Sequence, residues 1–256
     1  MNKFILKIWR GTPQNQYWEE FVLDQSPGEN IISALMKIQA GPINREGLHT
    51  TPVAWEQGCL EEVCGSCSML INGRPRQSCT ALIANLIQET GNSTITLAPF
   101  TKFPLIRDLV VDRTQMFEAL KKVKAWIPVD GTWDTEENGP KMSPEVQEAL
   151  YKLSTCMTCG CCSESCPQVN SNSPFMGPAA MSQIRLFNAN ATGALQKPER
   201  LRAALSDEGI AGCGNAQNCV KVCPKGIPLT ESLALIGREA TKQALRDLFS
   251  VPDAPS

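Results

Sequence analysis

Two cysteine runs in this chain share a spacing. CMTCGCCSESCP (156–167) places Cys156, Cys159, Cys162 and Cys166 as C-x2-C-x2-C-x3-C, followed by Pro167. CGNAQNCVKVCP (213–224) keeps Cys213, Cys219 and Cys223 but carries Ala216 where the second cysteine would stand. The full spacing is the run with which bacterial ferredoxins hold [4Fe–4S] clusters, the fourth cysteine of each run ligating the other cluster. By that rule Cys156, Cys159, Cys162 and Cys223 make one complete ligand set. Cys166, Cys213 and Cys219 make a second set that lacks one thiolate, because an alanine methyl cannot bind iron. Three thiolates suit a [3Fe–4S] cluster. Losing an iron and a thiolate changes net charge and surroundings, both of which tune the potential, and the site reads as a high-potential, one-electron acceptor. The competing chemistry is a cubane with an open iron acting as a Lewis acid. That needs acid–base partners such as histidine, and none stands nearby in the sequence. Cys161 has no part in either set and reads as a buried thiol.

An earlier group, Cys59, Cys64, Cys67 and Cys79, is spaced C-x4-C-x2-C-x11-C. C-x4-C-x2-C with a distant fourth cysteine is the plant-type [2Fe–2S] pattern. Four thiolates must close on a small anionic cluster while backbone amides point at its sulfurs, so Gly58 and Gly65 are expected to bend the loop with positive φ. A four-cysteine zinc site prefers paired C-x2-C knuckles, and only Cys64 and Cys67 form one.

Composition narrows the alternatives. The chain has 256 residues with 12 cysteines and a single histidine, His49. Zinc sites built from two cysteines and two histidines are excluded, and His49, between Gly47 and Pro52, reads as a surface loop residue. A secreted disulfide scaffold would be shorter and carry a leader; MNKFILKIWR alternates like a strand, with Lys7 breaking its apolar run. The formal net charge of −2 provides no basic field for nucleic acid. Lys121, Lys122 and Lys124 read as a solvated helix face. No run approaches the roughly 18 apolar residues that a membrane span needs, so any membrane role is expected to be peripheral.

The elements that position these cysteines differ between the two halves. Residues 3–10 and 18–24 read as strands joined by a turn near Gly11–Asn15, and 30–40 as a helix. Residues 68–72 and 94–98 read as short strands, with Asn72–Gly73 as a hairpin turn. This predicts a small sheet wrapped on a helix. The Pro-, Gly- and acid-rich stretch 126–144 reads as a connector. Helical spacing follows at 107–125, 144–154, 178–188, 198–206 and 229–249, with Pro144 at the first helical position after Ser143 and Leu233, Ile236 and Leu245 in the core. The expected division is 1–106, carrying the two-iron site, and 107–256, carrying the other two.

With these motifs in order, the chain resembles the iron–sulfur subunit of succinate dehydrogenase and fumarate reductase over nearly its whole length. The resemblance lies in CLEEVCGSCSMLINGRPRQSC, CMTCGCCSESCP, FMGPAAMSQIRLFN and CGNAQNCVKVCPKGIPL. SALMKI, TTPVAWEQ and VDRTQMFEALKKVKAWIPVDGT are most similar to the branch that works with a single dihaem cytochrome b anchor and menaquinone. The resemblance implies an α+β chain: an N-terminal β-grasp plant-type ferredoxin domain and a C-terminal α-helical ferredoxin domain. It implies a flavoprotein partner with covalent FAD that interconverts succinate and fumarate, and a location peripheral to the cytoplasmic side of the cell membrane. It further implies one-electron passage through [2Fe–2S], [4Fe–4S] and [3Fe–4S] to a quinone at the anchor. The ubiquinone branch places a tryptophan and a histidine near the quinone; Ser171 and Gly214 stand there in this chain, which leaves Pro167 as the quinone-side candidate. Fumarate reduction is the same architecture run in reverse. A free soluble carrier and a zinc-structured module are the readings of other classes; the helical bulk around the clusters speaks against the first.

Overall fold

The computed structural model describes residues 2–127 and 141–249. Two compact units emerge from its packing: residues 1–113 with 157–165, and 114–156 with 166–256. The chain therefore leaves the first unit seven residues beyond the expected boundary at 106, and a nine-residue segment returns to it. Most of the connector, 128–140, lies outside the described residues.

The first unit is built on a five-stranded sheet in the order β2-β1-β5-β3-β4. β1 (Lys3–Thr12) and β2 (Asn15–Asp24) form the expected hairpin, with Lys3 opposite Asp24 and Thr12 opposite Asn15. β3 (Ser68–Ile71) and β4 (Arg74–Gln77) form a second, turned by Asn72 and Gly73, both with positive φ as a two-residue hairpin turn requires. β5 (Thr94–Ala98) lies parallel to β1 and antiparallel to β3. α1 (Ile31–Ala40) covers one face; it starts at Asn30, whose side chain accepts from Ser33 N while Ser33 Oγ accepts from Asn30 N. Ile31, Leu35 and Ile38 pack with Phe4, Leu6 and Ile8, the inward positions of β1. The same alternation buries Arg10, which is 1% exposed. Its guanidinium is matched by Glu19 and by Asp108, and it donates to the carbonyl of Thr51. α2 (Ile83–Thr90) lay in no expected element.

Residues 107–113 correct an expectation. They do not begin a helix. β6 (Leu105–Arg107) and β7 (Val110–Val111) pair antiparallel, because Asp108, at φ 50°, turns the chain and is tied by its carboxylate to Arg10, Gly11 N and Ala54 N. The helix starts only at Thr114. Residues 157–165, ending in α5 (Cys161–Ser165), are held to this unit by Glu164, whose carboxylate accepts from Thr101 N, Thr101 Oγ1 and Lys102 N at 2.7–3.1 Å.

The second unit is helical: α3 (Thr114–Lys122), α4 (Pro144–Ser154), α6 (Pro178–Ala189), α7 (Lys197–Leu205), α8 (Asn218–Val222) and α9 (Leu229–Phe249). Ser143 Oγ caps α4 by accepting from Val146 N, with Pro144 in the first turn. Ile184, Leu201, Ile236 and Ala240 form the centre of its core. Arg200, fully buried, donates to the carbonyls of Lys124, Gly193 and Trp126. Leu233 and Ile236 are core as expected, but Leu245 is 52% exposed. It stands in the last turns of α9, where Leu248 and Phe249 are also exposed. The lysine cluster lies on the surface in ion pairs, Lys121 with Glu118, Lys122 with Glu208 and Lys124 with Glu199. Among the described residues, no helix is long and apolar enough to cross a membrane.

Candidate functional site

The first thiol group is assembled by the loop between α1 and β3. Cys59 Sγ accepts from the backbone N–H of Glu61, Val63 and Cys64 at 3.4, 3.1 and 3.3 Å. Cys64 Sγ accepts from Cys59 N and Ser66 N at 3.4 and 3.5 Å. Leu60, Glu62 and Gly65 have positive φ, and this is what turns successive amides inward onto sulfur. The Ser66 hydroxyl first, then the amides of Cys59 and Ser66, bring the Cys64 thiol down to about 6. Cys67 and Cys79 are buried together beside Ile32 and Trp55. Burial, then the neighbouring Cys67, pushes Cys79 up to about 12, with Cys59 also adding to the rise. The four expected residues therefore meet at one place, with Cys59 and Cys64 wrapped in amides and Cys67 and Cys79 buried. That donor set fits an anionic [2Fe–2S] cluster, which is stabilised by N–H groups aimed at its sulfurs. Among the described residues, no three Cys, His, Asp or Glu side chains converge as a single metal ion needs.

The two glycines act differently. Gly65 has φ +73° as expected, and a Cβ there would lie 2.6 Å from Met157 O and 2.9 Å from Cys159 Cα. The loop and the 157–165 segment thus touch backbone to backbone. Gly58 does not have positive φ, which corrects the expectation; it is required for space, because its Cβ would sit 2.9 Å from Cys64 Sγ.

The second thiol group lies in the helical unit. Cys166 follows α5, Cys213 follows a short turn at Ile210–Gly212, and Cys219 lies in α8. All three line one cavity, together with Ala216, Pro167 and Gln168. Burial first, and then the nearby Cys166 and Cys213, raise the Cys219 thiol. Asn215 and Gln217 have positive φ on either side of Ala216, so the loop curls over the cavity with a methyl where a fourth thiol would be. Three sulfurs on one small cavity fit a cluster with three protein ligands. Ser171 is exposed, as is Pro167 at the rim.

The remaining set is Cys156, Cys159, Cys162 and Cys223. Cys159 and Cys162 lie in the returned segment, Cys156 after α4 and Cys223 after α8. Cys223 Sγ accepts from Ile227 N at 3.4 Å. A hydrogen bond from Cys161 is the main cause that brings Cys159 down to about 7, against its burial. Cys161 is fully buried, and that bond together with burial pushes its own thiol far up, so it stays neutral. His49 is in an exposed loop.

Three residues near these thiols escaped the sequence reading. Arg113 donates to the carbonyls of Gly65 and Ser66 at 2.8 and 2.6 Å. Gln77 lies between Cys67 and Cys161. Glu164 anchors the returned segment. None has a spacing signature, since each acts on residues distant in sequence.

Known proteins match in the same order. Residues 5–118 match the 2Fe-2S iron-sulfur cluster binding domain family, and residues 152–227 the 4Fe-4S dicluster domain family. The chain is 55% identical to the succinate dehydrogenase iron-sulfur subunit of Bacillus subtilis over 96% of its own length and 95% of that protein. It is 26% identical to the fumarate reductase iron-sulfur subunit of Wolinella succinogenes, over 91% and 95% of the two chains. A chain of the Mycobacterium smegmatis Sdh1 complex in the apo form has the same fold, with TM-score 0.79 at 23% identity, over 95% of this chain and 97% of that one.

Proposed function

This chain belongs to the family of iron–sulfur subunits of succinate dehydrogenase and fumarate reductase, and from that premise we propose how its residues divide the work of an electron-transfer subunit. Cys59, Cys64, Cys67 and Cys79 hold [2Fe–2S]; Cys156, Cys159, Cys162 and Cys223 hold [4Fe–4S]; Cys166, Cys213 and Cys219 hold [3Fe–4S]. The clusters supply one-electron chemistry. The chain supplies ligands, amides that set potentials, and burial that keeps water away. The two-iron set belongs to residues 1–106 and the other two sets to 107–256. The observation that carries the reading is the grouping of three thiols around Ala216, which provides a last centre unlike the other two.

In this reading single electrons arrive from an FAD-containing flavoprotein, where succinate is oxidised, and leave through a dihaem cytochrome b anchor to menaquinone. The chain sits at the cytoplasmic face of the membrane, held by that anchor, with Pro167 at the exit rim. The similarity to a fumarate reductase subunit supports the reverse direction as the second reading. The test is to isolate the native complex from membranes through a tag on this chain. A covalent-FAD protein and a cytochrome b are expected with it, together with succinate:quinone activity. Recovery of this chain alone from the soluble fraction would contradict the reading.

A further inference from the structure

Gln77 ends β4 and is 1% exposed. Cys67 Sγ lies 3.5 Å from its Oε1, and its Nε2 lies 3.6 Å from Cys161 Sγ. The same Nε2 donates to Ser68 Oγ at 2.7 Å, and Ser68 Oγ donates to the Gly65 carbonyl at 2.8 Å. Cys161 in turn stands two residues from Cys159 in the same buried segment and holds the Cys159 thiol down. A buried line of contacts, Cys67–Gln77–Cys161–Cys159, therefore joins a proposed two-iron ligand to a proposed four-iron ligand. All four residues are at most 9% exposed.

The carboxamide has a defined preference once Cys67 binds iron. As a thiol, Cys67 donates to Gln77 Oε1. A ligating thiolate has no proton to donate, and a carbonyl oxygen at that distance repels it. Turning the amide over presents Nε2–H to Cys67 and Oε1 to Ser68, whose hydroxyl can donate to it. The Gly65 carbonyl that Ser68 releases still accepts from Arg113 Nη1 at 2.8 Å. The Cys161 proton stays directed at Cys159, and the Gln77–Cys161 contact is then a van der Waals one, with Oε1 in the place of Nε2 against Cys161 Sγ.

We propose that Gln77 and Cys161 are positioning residues for electron transfer: Gln77 donates to the Cys67 sulfur, Cys161 donates to the Cys159 sulfur, and their contact is the route between the two centres. With both clusters bound, one electron would leave the reduced two-iron centre and one would enter the oxidised four-iron centre, and the protons on Gln77 and Cys161 would stay where they are. The inference rests on the ligand sets proposed above. A donor at a ligand sulfur favours the reduced, more negative form, so each donor raises the potential of its own centre.

The test is an EPR-monitored redox titration of the complete complex carrying Gln77→Leu or Cys161→Ala, with iron and sulfide counted on the same samples. Gln77→Leu is expected to weaken the one-electron reduction equilibrium of the two-iron centre about tenfold, a fall of about 59 mV, and to slow transfer between the centres. Cys161→Ala is expected to lower the four-iron potential and to move the two-iron potential less. Unchanged potentials in fully loaded variants would overturn the inference. Should Gln77→Leu fail to retain iron, Gln77→Asn replaces it, because the shorter side chain cannot span Cys67 and Cys161 together. Loss of iron there as well would mark Gln77 as purely structural. If the unmodified complex lacks the two-iron or four-iron signal, the ligand sets themselves are wrong, and the two failures are thereby distinguished.

Discussion

Gly65→Ala adds one methyl at the point where the two-iron loop touches the returned segment. The new Cβ would meet Met157 O at 2.6 Å and the Cα and Cβ of Cys159 at 2.9 Å, where ordinary contact begins at 3.4 Å. Met157 O and Cys159 Cα are backbone atoms, in a segment fixed by the hydrogen bonds of Glu164, so no rotamer change relieves the clash. Holding alanine at φ +73° costs about 1–2 kcal/mol. Forcing an extra carbon into packed surroundings costs a further ~1–3 kcal/mol. Together these make about 2–5 kcal/mol, an apparent Tm lowered by roughly 4–20 °C for a chain of this size. Gly28→Ala is the control: its φ is +72°, but nothing lies within 4 Å of the added methyl, so only the conformational cost of about 1–2 kcal/mol applies. Thermal unfolding of the cluster-loaded chain, followed by loss of visible absorbance, compares the two. If Gly65→Ala melts no lower than Gly28→Ala and holds its full iron, the backbone contact is not as described.

Three more predictions address other parts of the molecule. Asp108→Ala removes the carboxylate that accepts from Arg10 Nε, Gly11 N and Ala54 N; breaking this buried pair should cost about 3–5 kcal/mol in denaturant unfolding, and a loss below ~1 kcal/mol would show that Arg10 is satisfied by Glu19 alone. In the iron-free chain Cys64, brought down to about 6, is thiolate above that pH, so its alkylation should rise through pH 6 and level off near neutrality; a rise delayed to the ordinary thiol range would contradict the amide cradle. Ala216→Cys should convert the oxidised-state [3Fe–4S] signal, wholly or in part, into a [4Fe–4S] signal seen on reduction, with a lower potential and slower transfer to quinone. An unchanged three-iron signal and iron count in a well-folded Ala216→Cys chain would mean that cavity shape, not the missing thiol, sets the cluster type.

Patterns local in sequence were legible, and patterns made by distant residues were not. The β1–β2 hairpin, the Asn72–Gly73 turn, the helix α1 and the Ser143–Pro144 start of α4 follow from alternation, turn residues, helical spacing and a cap. The cysteine groups are legible because iron chemistry demands fixed spacings, and the structure brings 59, 64, 67 and 79 together, and likewise 166, 213 and 219. Residues 107–113 have helical apolar spacing, yet they form a small hairpin because Asp108 is bound to Arg10, 98 residues away. Leu245 fits the apolar stripe of α9, but the helix outruns the core that would cover it. Gly58 looked like a turn residue and is instead a gap left for the Cys64 sulfur. Gln77 and Glu164 are ordinary polar residues in sequence; only their burial against thiols and backbone amides gives them a role.

The ligand sets are tested most directly by counting iron and acid-labile sulfide in the purified complex and recording EPR spectra of the same sample in the oxidised and reduced states. One [3Fe–4S] signal is expected in the oxidised sample, [2Fe–2S] and [4Fe–4S] signals on reduction, and iron per chain equal to the sum of these three clusters. An oxidised sample without the three-iron signal, holding iron enough for a second four-iron cluster, would contradict it.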